Sequence, residues 1–104
     1  MVDEQIKSIP ALQPRLKARL IVASWVDETT DKTDGTPPID PDREIYVVWF
    51  CKALQNWKAL LSTNRPDGMY YEVTYNGDKQ EAYLDCYKKF DNRLFTDEAI
   101  GNLL

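Results

Sequence analysis

Apolar and polar positions change rhythm twice along the chain. In "LQPRLKARLIVASWVDE", residues 12 to 28, Leu16, Leu20, Ile21 and Ala23 recur at helical spacing, while Lys17 and Arg19 face elsewhere. Pro14 suits the first turn of that helix, where a missing N–H leaves no bond unmade. The rhythm then stops. Residues 29 to 43, "TTDKTDGTPPIDPDR", carry Gly35, Pro37, Pro38 and Pro41 and read as a connector. Residues 1 to 11, with Pro10, read as a loose arm or a separate turn.

From Glu44 the rhythm shortens to that of strands. "IYVVWFCKAL" is β-branched and aromatic with little alternation, which predicts a strand buried on both sides for part of its length. "LQNWKALLST" reads as a helix turn or a second strand, and Gln55-Asn56 suggests a turn followed by a strand from Trp57 to Thr63. "NRPDG" is a second turn, with Pro66 preset for it and Gly68 free to take positive φ. Residues 70 to 90, "YYEVTYNGDKQEAYLDCYKKF", then read as a hairpin. A turn on Asn76-Gly77 sets Glu72 across from Glu81, a repulsive pair. A turn on Gly77-Asp78 pairs Thr74 with Glu81, Val73 with Ala82 and Tyr71 with Leu84, and a two-residue turn opening on Gly is a common hairpin loop. A shift by two preserves parity, so either register puts Tyr71, Val73, Tyr75, Ala82, Leu84 and Cys86 on one face. Thr96 or Asp97 can cap a short last helix that Gly101 weakens. The expected fold is α+β, in one domain over residues 1–104. An N-terminal helix packs on a four-stranded antiparallel β-meander, and a short C-terminal helix or tail follows.

Composition and charge narrow the function. A chain of 104 residues suits a single core. The net charge is −4, which disfavours nucleic acid as a partner, because that affinity rests on neutralising phosphates. The acidity is local. Residues 27 to 44 hold Asp27, Glu28, Asp31, Asp34, Asp40, Asp42 and Glu44 against Lys32 and Arg43, and the rest of the chain is close to neutral. No stretch approaches the ~18 apolar residues of a membrane span, and "MVDEQIKSIP" has no signal-peptide apolar core. Cys51 and Cys86 lack metal spacing and are expected to be free, buried and structural.

Catalytic patterns are missing. The chain has no histidine, which removes the usual general base, the commonest metal ligand and any Ser-His or Cys-His pair. No Gly-rich phosphate loop is present. Set on an EF-hand frame with Gly35 at position 6, Thr30, Lys32 and Asp34 fall at positions 1, 3 and 5 and Pro41 at 12, so the loop does not match. Catalysis by carboxylates alone needs two acids across a cleft, and Glu72, Glu81 and Asp85 qualify only by sharing a face. The expectation is a protein that is not an enzyme and uses no cofactor or metal.

The other hairpin face is the candidate site: Tyr70, Glu72, Glu81, Tyr83, Asp85 and Tyr87. Tyrosines there are either cross-strand packers, covered by the C-terminal tail, or anchors of a contact surface, for which tyrosine offers rigid apolar area with a polar tip. The acids among them favour a basic protein partner. A base-stacking sheet would want a basic field, which Lys79, Lys88, Lys89 and Arg93 do not make. A second copy could also close such a face.

"DKTDGTPP", "YVVWFCKALQNWKALLST" and "DGMYYEVTYNGDKQEAYLDCYKKFDN" resemble a family of small, largely uncharacterised proteins encoded by phages and prophages of Gram-positive bacteria. The resemblance covers about residues 30 to 92, with a similar helix before it, and brings no catalytic or ligand residues. It implies a phage-encoded accessory protein in the cytoplasm of the infected bacterium, acting stoichiometrically on a host protein. An anti-defence inhibitor of the anti-CRISPR kind is one such role. The alternatives are a nucleic-acid or nucleotide-binding accessory protein and a structural or assembly protein of the phage.

Overall fold

The computed structural model describes residues 12–104; the arm expected over residues 1–11 lies outside them. Helix α1, Pro14–Thr29, opens with Pro14 in its first turn and is followed by the connector. Four strands follow: β1 Ile45–Ala53, β2 Asn56–Thr63, β3 Met69–Asn76 and β4 Glu81–Lys88, with a short helix α2, Asp97–Gly101, after them. The strands pair in the order β1-β2-β3-β4, all antiparallel. The fold is therefore the expected helix on a four-stranded meander, with a short C-terminal helix.

The core lies between α1 and one sheet face. Ala18, Val22, Ala23 and Val26 of α1 are buried against Ile45, Trp57, Ala59, Leu61, Tyr71 and Val73. Leu20, expected inside, is exposed. Spacing could not separate these positions, because residues 20 to 23 are all apolar. Packing decides: the sheet supplies the bulky Trp57 and Tyr71, so the helix meets it with small side chains. Trp25 meets Tyr71 edge-on at 5.6 Å between ring centroids. At the other end of the core Trp57 stacks on Tyr75 at 5.1 Å, and Lys17 Nζ sits 4.5 Å over the Tyr75 ring while donating to its hydroxyl at 3.3 Å. Lys17 thus reaches the sheet rather than facing away.

β1 corrects two expectations. It is an edge strand, and only Ile45 in it is buried, so it is not enclosed on both sides. Val47 pairs with Leu61 but Trp49 pairs with Leu60, leaving Val48 as a bulge. One extra residue reverses the facing of everything after it. Phe50 therefore joins the core side, as Val47 does, and the apolar run reflects the bulge rather than two-sided burial. For the same reason Cys51 is turned out and exposed, against the expected burial. Cys86 is half-buried, and both thiols are free. Burial, and then the nearby Asp85, push the Cys86 thiol above its ordinary pKa. Only the thiolate reacts, so Cys51 should label fast with an aromatic disulfide reagent and Cys86 slowly. Cys51→Ser should delete the fast phase; losing the slow phase instead would contradict this placement.

Two turns differ from expectation. The β1–β2 turn falls on Leu54-Gln55, with Leu54 at φ 57°, and Asn56 begins β2. The β3–β4 loop is Gly77 to Gln80, longer than either two-residue turn. Asn76 Oδ1 accepts from the backbone N–H groups of Asp78 at 3.0 Å and Lys79 at 3.2 Å, and Gln80 turns the chain at φ 52°. The register therefore moves on by two: Thr74 faces Tyr83, Val73 faces Leu84 and Tyr71 faces Cys86. Parity survives, as a shift of two requires.

The connector is anchored from both flanks. Ile39 is buried and its N–H donates to Asp27 Oδ1 at 2.8 Å. Arg65 pairs with Glu44 at 3.5 Å and donates to the Pro37 carbonyl at 3.3 Å. Thr96 caps α2 by accepting from Ala99 N–H at 3.1 Å.

Candidate functional site

The sheet has a second face, pointing away from α1, and its composition follows from strand parity. Three cross-strand rows run over it. The first is Tyr46, Ser62, Tyr70 and Tyr87, the second Trp49, Leu60, Glu72 and Asp85, and the third Cys51, Lys58, Thr74 and Tyr83. Glu81 lies at the far end of β4, opposite Asn76. All six residues predicted for the site, Tyr70, Glu72, Glu81, Tyr83, Asp85 and Tyr87, therefore share this face. Sequence reasoning missed Tyr46 and Trp49. The bulge hid them, because it breaks the alternation that would have assigned β1 to a face.

Among the described residues no helix covers these rows. Tyr83 is 66% exposed and Tyr87 51%, and Tyr46 and Trp49 are also at least half exposed. The tail does not cover them either, since every residue from Lys88 to Leu104 is itself exposed. Tyr70 and Tyr87 are direct cross-strand neighbours on this surface.

The register that removes Glu72 from Glu81 places it opposite Asp85, so a like-charge pair remains. Two neighbours offset it. Lys58 Nζ lies 3.8 Å from Glu72 Oε2, and the Tyr87 hydroxyl donates to Glu72 Oε1 at 3.4 Å. The Glu72 charge, ahead of slight desolvation and the Asp85 charge, raises the Tyr87 phenol above its usual pKa. Glu72→Gln should therefore bring the Tyr87 titration down, measured by NMR on a ring-labelled tyrosine. An unchanged titration would remove the contact. Lys89 Nζ stands 5.9 Å over the Tyr70 ring. The face thus holds three acids and two cations, Lys58 and Lys89, and is studded with aromatic rings.

As a catalytic arrangement it is poor. Glu72, Glu81 and Asp85 stand on an open sheet surface, and catalysis by paired carboxylates needs them across a cleft. Two shallow depressions open beside that surface, one of about 270 Å³ whose lining includes Trp49, Cys51, Lys58 and Thr74 and one of about 200 Å³ whose lining includes Tyr46, Ser62, Tyr70 and Lys89. None of the three acids lines either. Among the described residues no group of three or more His, Cys, Asp or Glu is placed to hold a metal ion. The connector acids are engaged locally. Asp31 accepts from the Thr33 N–H and hydroxyl, and Asp34 from those of Thr36. For Asp31 the backbone bond leads and for Asp34 the hydroxyl bond leads in lowering the carboxyl pKa. Among the described residues no helix is long and apolar enough to cross a membrane.

The profile of a family of unknown function, DUF6275, matches residues 15–97. The chain belongs to that family. No curated protein and no solved structure matches it. The DUF6275 span takes in α1, the connector and all four strands, so both sheet faces lie within the region that defines the family.

Proposed function

We propose that this DUF6275 protein is a non-catalytic binding protein that engages another protein through the open face of its sheet. The observation that carries the reading is the uncovered set of Tyr46, Trp49, Tyr83 and Tyr87, each at least half exposed on one side of a registered sheet. Aromatic rings of this kind dominate binding energy when a partner desolvates them. Glu72, Glu81 and Asp85 among them select a partner with a basic surface. The resemblance to phage and prophage proteins supplies the setting: a host protein bound stoichiometrically in the bacterial cytoplasm, with inhibition of a defence system as one outcome.

The test compares the tagged chain with its Tyr83→Ala/Tyr87→Ala variant on host lysate, and then on the purified partner. Loss of buried anchors at about 2 kcal/mol or more each weakens binding by roughly 30-fold or more. Because both rings are exposed, the melting temperature should stay nearly unchanged. Lys32→Ala, in the connector, should bind as the parent does. Equal capture by the double variant, or salt-sensitive sub-micromolar binding of labelled oligonucleotides in place of a protein, would overturn the reading.

A further inference from the structure

Among the described residues the helix side of the sheet is only partly covered. A helix is about 10 Å across, whereas four strands spaced by about 4.8 Å need more than one. α1 packs on β1, β2 and β3, and leaves β4 beyond its main footing. The result is a groove of about 410 Å³ between α1 and β4, lined by Leu20, Ile21, Ser24, Trp25, Glu28 and Leu84. Leu20 projects into it half-exposed, which explains an apolar residue on the outer flank of α1.

The same chain carries an apolar segment without a seat. After β4 the Lys89 N–H bonds to the Gly68 carbonyl at 2.8 Å, and beyond that point the chain leaves the sheet. Phe90 is 98% exposed, Leu94 89% and Leu103 73%, and Phe95, Ile100 and Leu104 are also exposed. Among the described residues α2 makes no substantial packing contact with any other element. The radius of gyration is 17.3 Å, well above the ~13 Å of a compact chain of about 100 residues. A segment meant only for water has no use for six large apolar side chains, and its Thr96 cap gives it a defined helix to present.

We infer that residues 90–104 of one copy dock in the α1–β4 groove of a second copy, reciprocally, so that the protein is a tail-exchanged dimer. In its observed course the segment stands clear of its own groove, whose lining holds none of its residues, and a second copy presents the same groove. Exchange of an identical element closes a two-fold contact without any new surface. Each buried phenylalanine removes roughly 150 Å² or more from water. Two reciprocal tails with their leucines and isoleucine, counted with the grooves they cover, reach the order of 1,600 Å² of a stable interface. The contact lies on the side of the sheet opposite the tyrosine rows, so it stands or falls independently of the proposed partner face and leaves that face free.

The test is sedimentation of the full-length chain and three variants: Phe95→Asp, Leu103→Asp and Leu20→Asp. The parent should be a dimer with a dissociation constant of micromolar order or tighter. Each variant should weaken it by about 30-fold or more, with unchanged far-ultraviolet circular dichroism, since all three side chains are exposed in the single chain. Mixing Phe95→Asp with Leu20→Asp should give more dimer than either variant alone, because one of the two contacts then joins an intact tail to an intact groove. A parent that is monomeric at about ten times the micromolar scale would overturn the inference. So would a dimer indifferent to all three changes, or a mixture with no more dimer than either variant alone while each remains folded.

Discussion

Tyr71→Ala should lower the unfolding free energy by about 3–5 kcal/mol, the cost of removing a large aromatic side chain from a packed core. Tyr71 is wholly buried, meets Trp25 edge-on and lies opposite Leu61 and Cys86. Its ring therefore bridges α1, β2 and β4. A domain with about 5–15 kcal/mol in total would lose a large share, and its melting temperature should fall by more than about 10 °C. Tyr83→Ala, on the sheet face away from α1 and 66% exposed, should stay within about 0.5 kcal/mol of the parent. Denaturant titration of the two variants measures the contrast directly; near-equal losses would mean that the two sheet faces are not inside and outside.

Tyr71 also predicts a pH effect. Burial first, then the Asp67 and Cys86 charges, push its phenol up to about 12. A raised folded-state value means that the contribution to stability is complete below the ordinary value near 10 and is lost as pH rises through about 12. Tyr71→Phe should keep the ring packing and remove this part of the alkaline loss. If the parent and Tyr71→Phe lose stability in parallel between those limits, the phenol is not buried.

These contrasts show which features of the fold the sequence carries openly. Strand parity was legible in the hairpin, because Val73 and Leu84 alternate with Glu72 and Asp85, and parity alone assigns the two faces. Pairing was not legible to the residue. It depends on Asn76 taking two N–H groups into its side-chain carbonyl, a common turn device that does not fix the loop length, and on Gln80 adopting a left-handed conformation that glutamine rarely takes. β1 was misread for a related reason. A bulge at Val48 writes no signal except broken alternation, which a strand buried on both sides writes too. The helix was legible as a helix but not in its orientation, since four consecutive apolar residues leave the buried stripe to be chosen by the sheet. The tail's Thr96 cap and Gly101 predicted α2 correctly, yet nothing local told whether it lies on the tyrosine face or away from it. The candidate site followed the same rule. Its hairpin half, Tyr70 to Tyr87, was readable from alternation, and its β1 half, Tyr46 and Trp49, was lost with the bulge.

Gly77→Ala should cost about 1–3 kcal/mol, although Gly77 has no left-handed backbone to protect. The reason is space. A methyl group at Gly77 would stand 2.1 Å from the Gln55 carbonyl oxygen and 2.6 Å from the Gln55 Cβ, and backbone cannot step aside as a side chain can. The contact joins the tips of the two hairpins. Gly77 N–H donates to Asn56 Oδ1 at 2.9 Å, and Gln55 Nε2 donates to Asp78 Oδ1, so the β1–β2 turn is clamped onto the β3–β4 loop. Forcing the tips apart breaks those bonds and pulls on Trp57 and Tyr75, the stacked pair just inside the clamp. Gly35→Ala gives the comparison. Gly35 has φ +80° but nothing within 4 Å of an added Cβ, so its cost is conformational alone, about 1 kcal/mol. Hydrogen exchange separates the two effects: Gly77→Ala should speed exchange at both hairpin tips together, while Gly35→Ala should leave them as they were. Faster exchange at the β3–β4 loop alone would mean that the tips are not coupled.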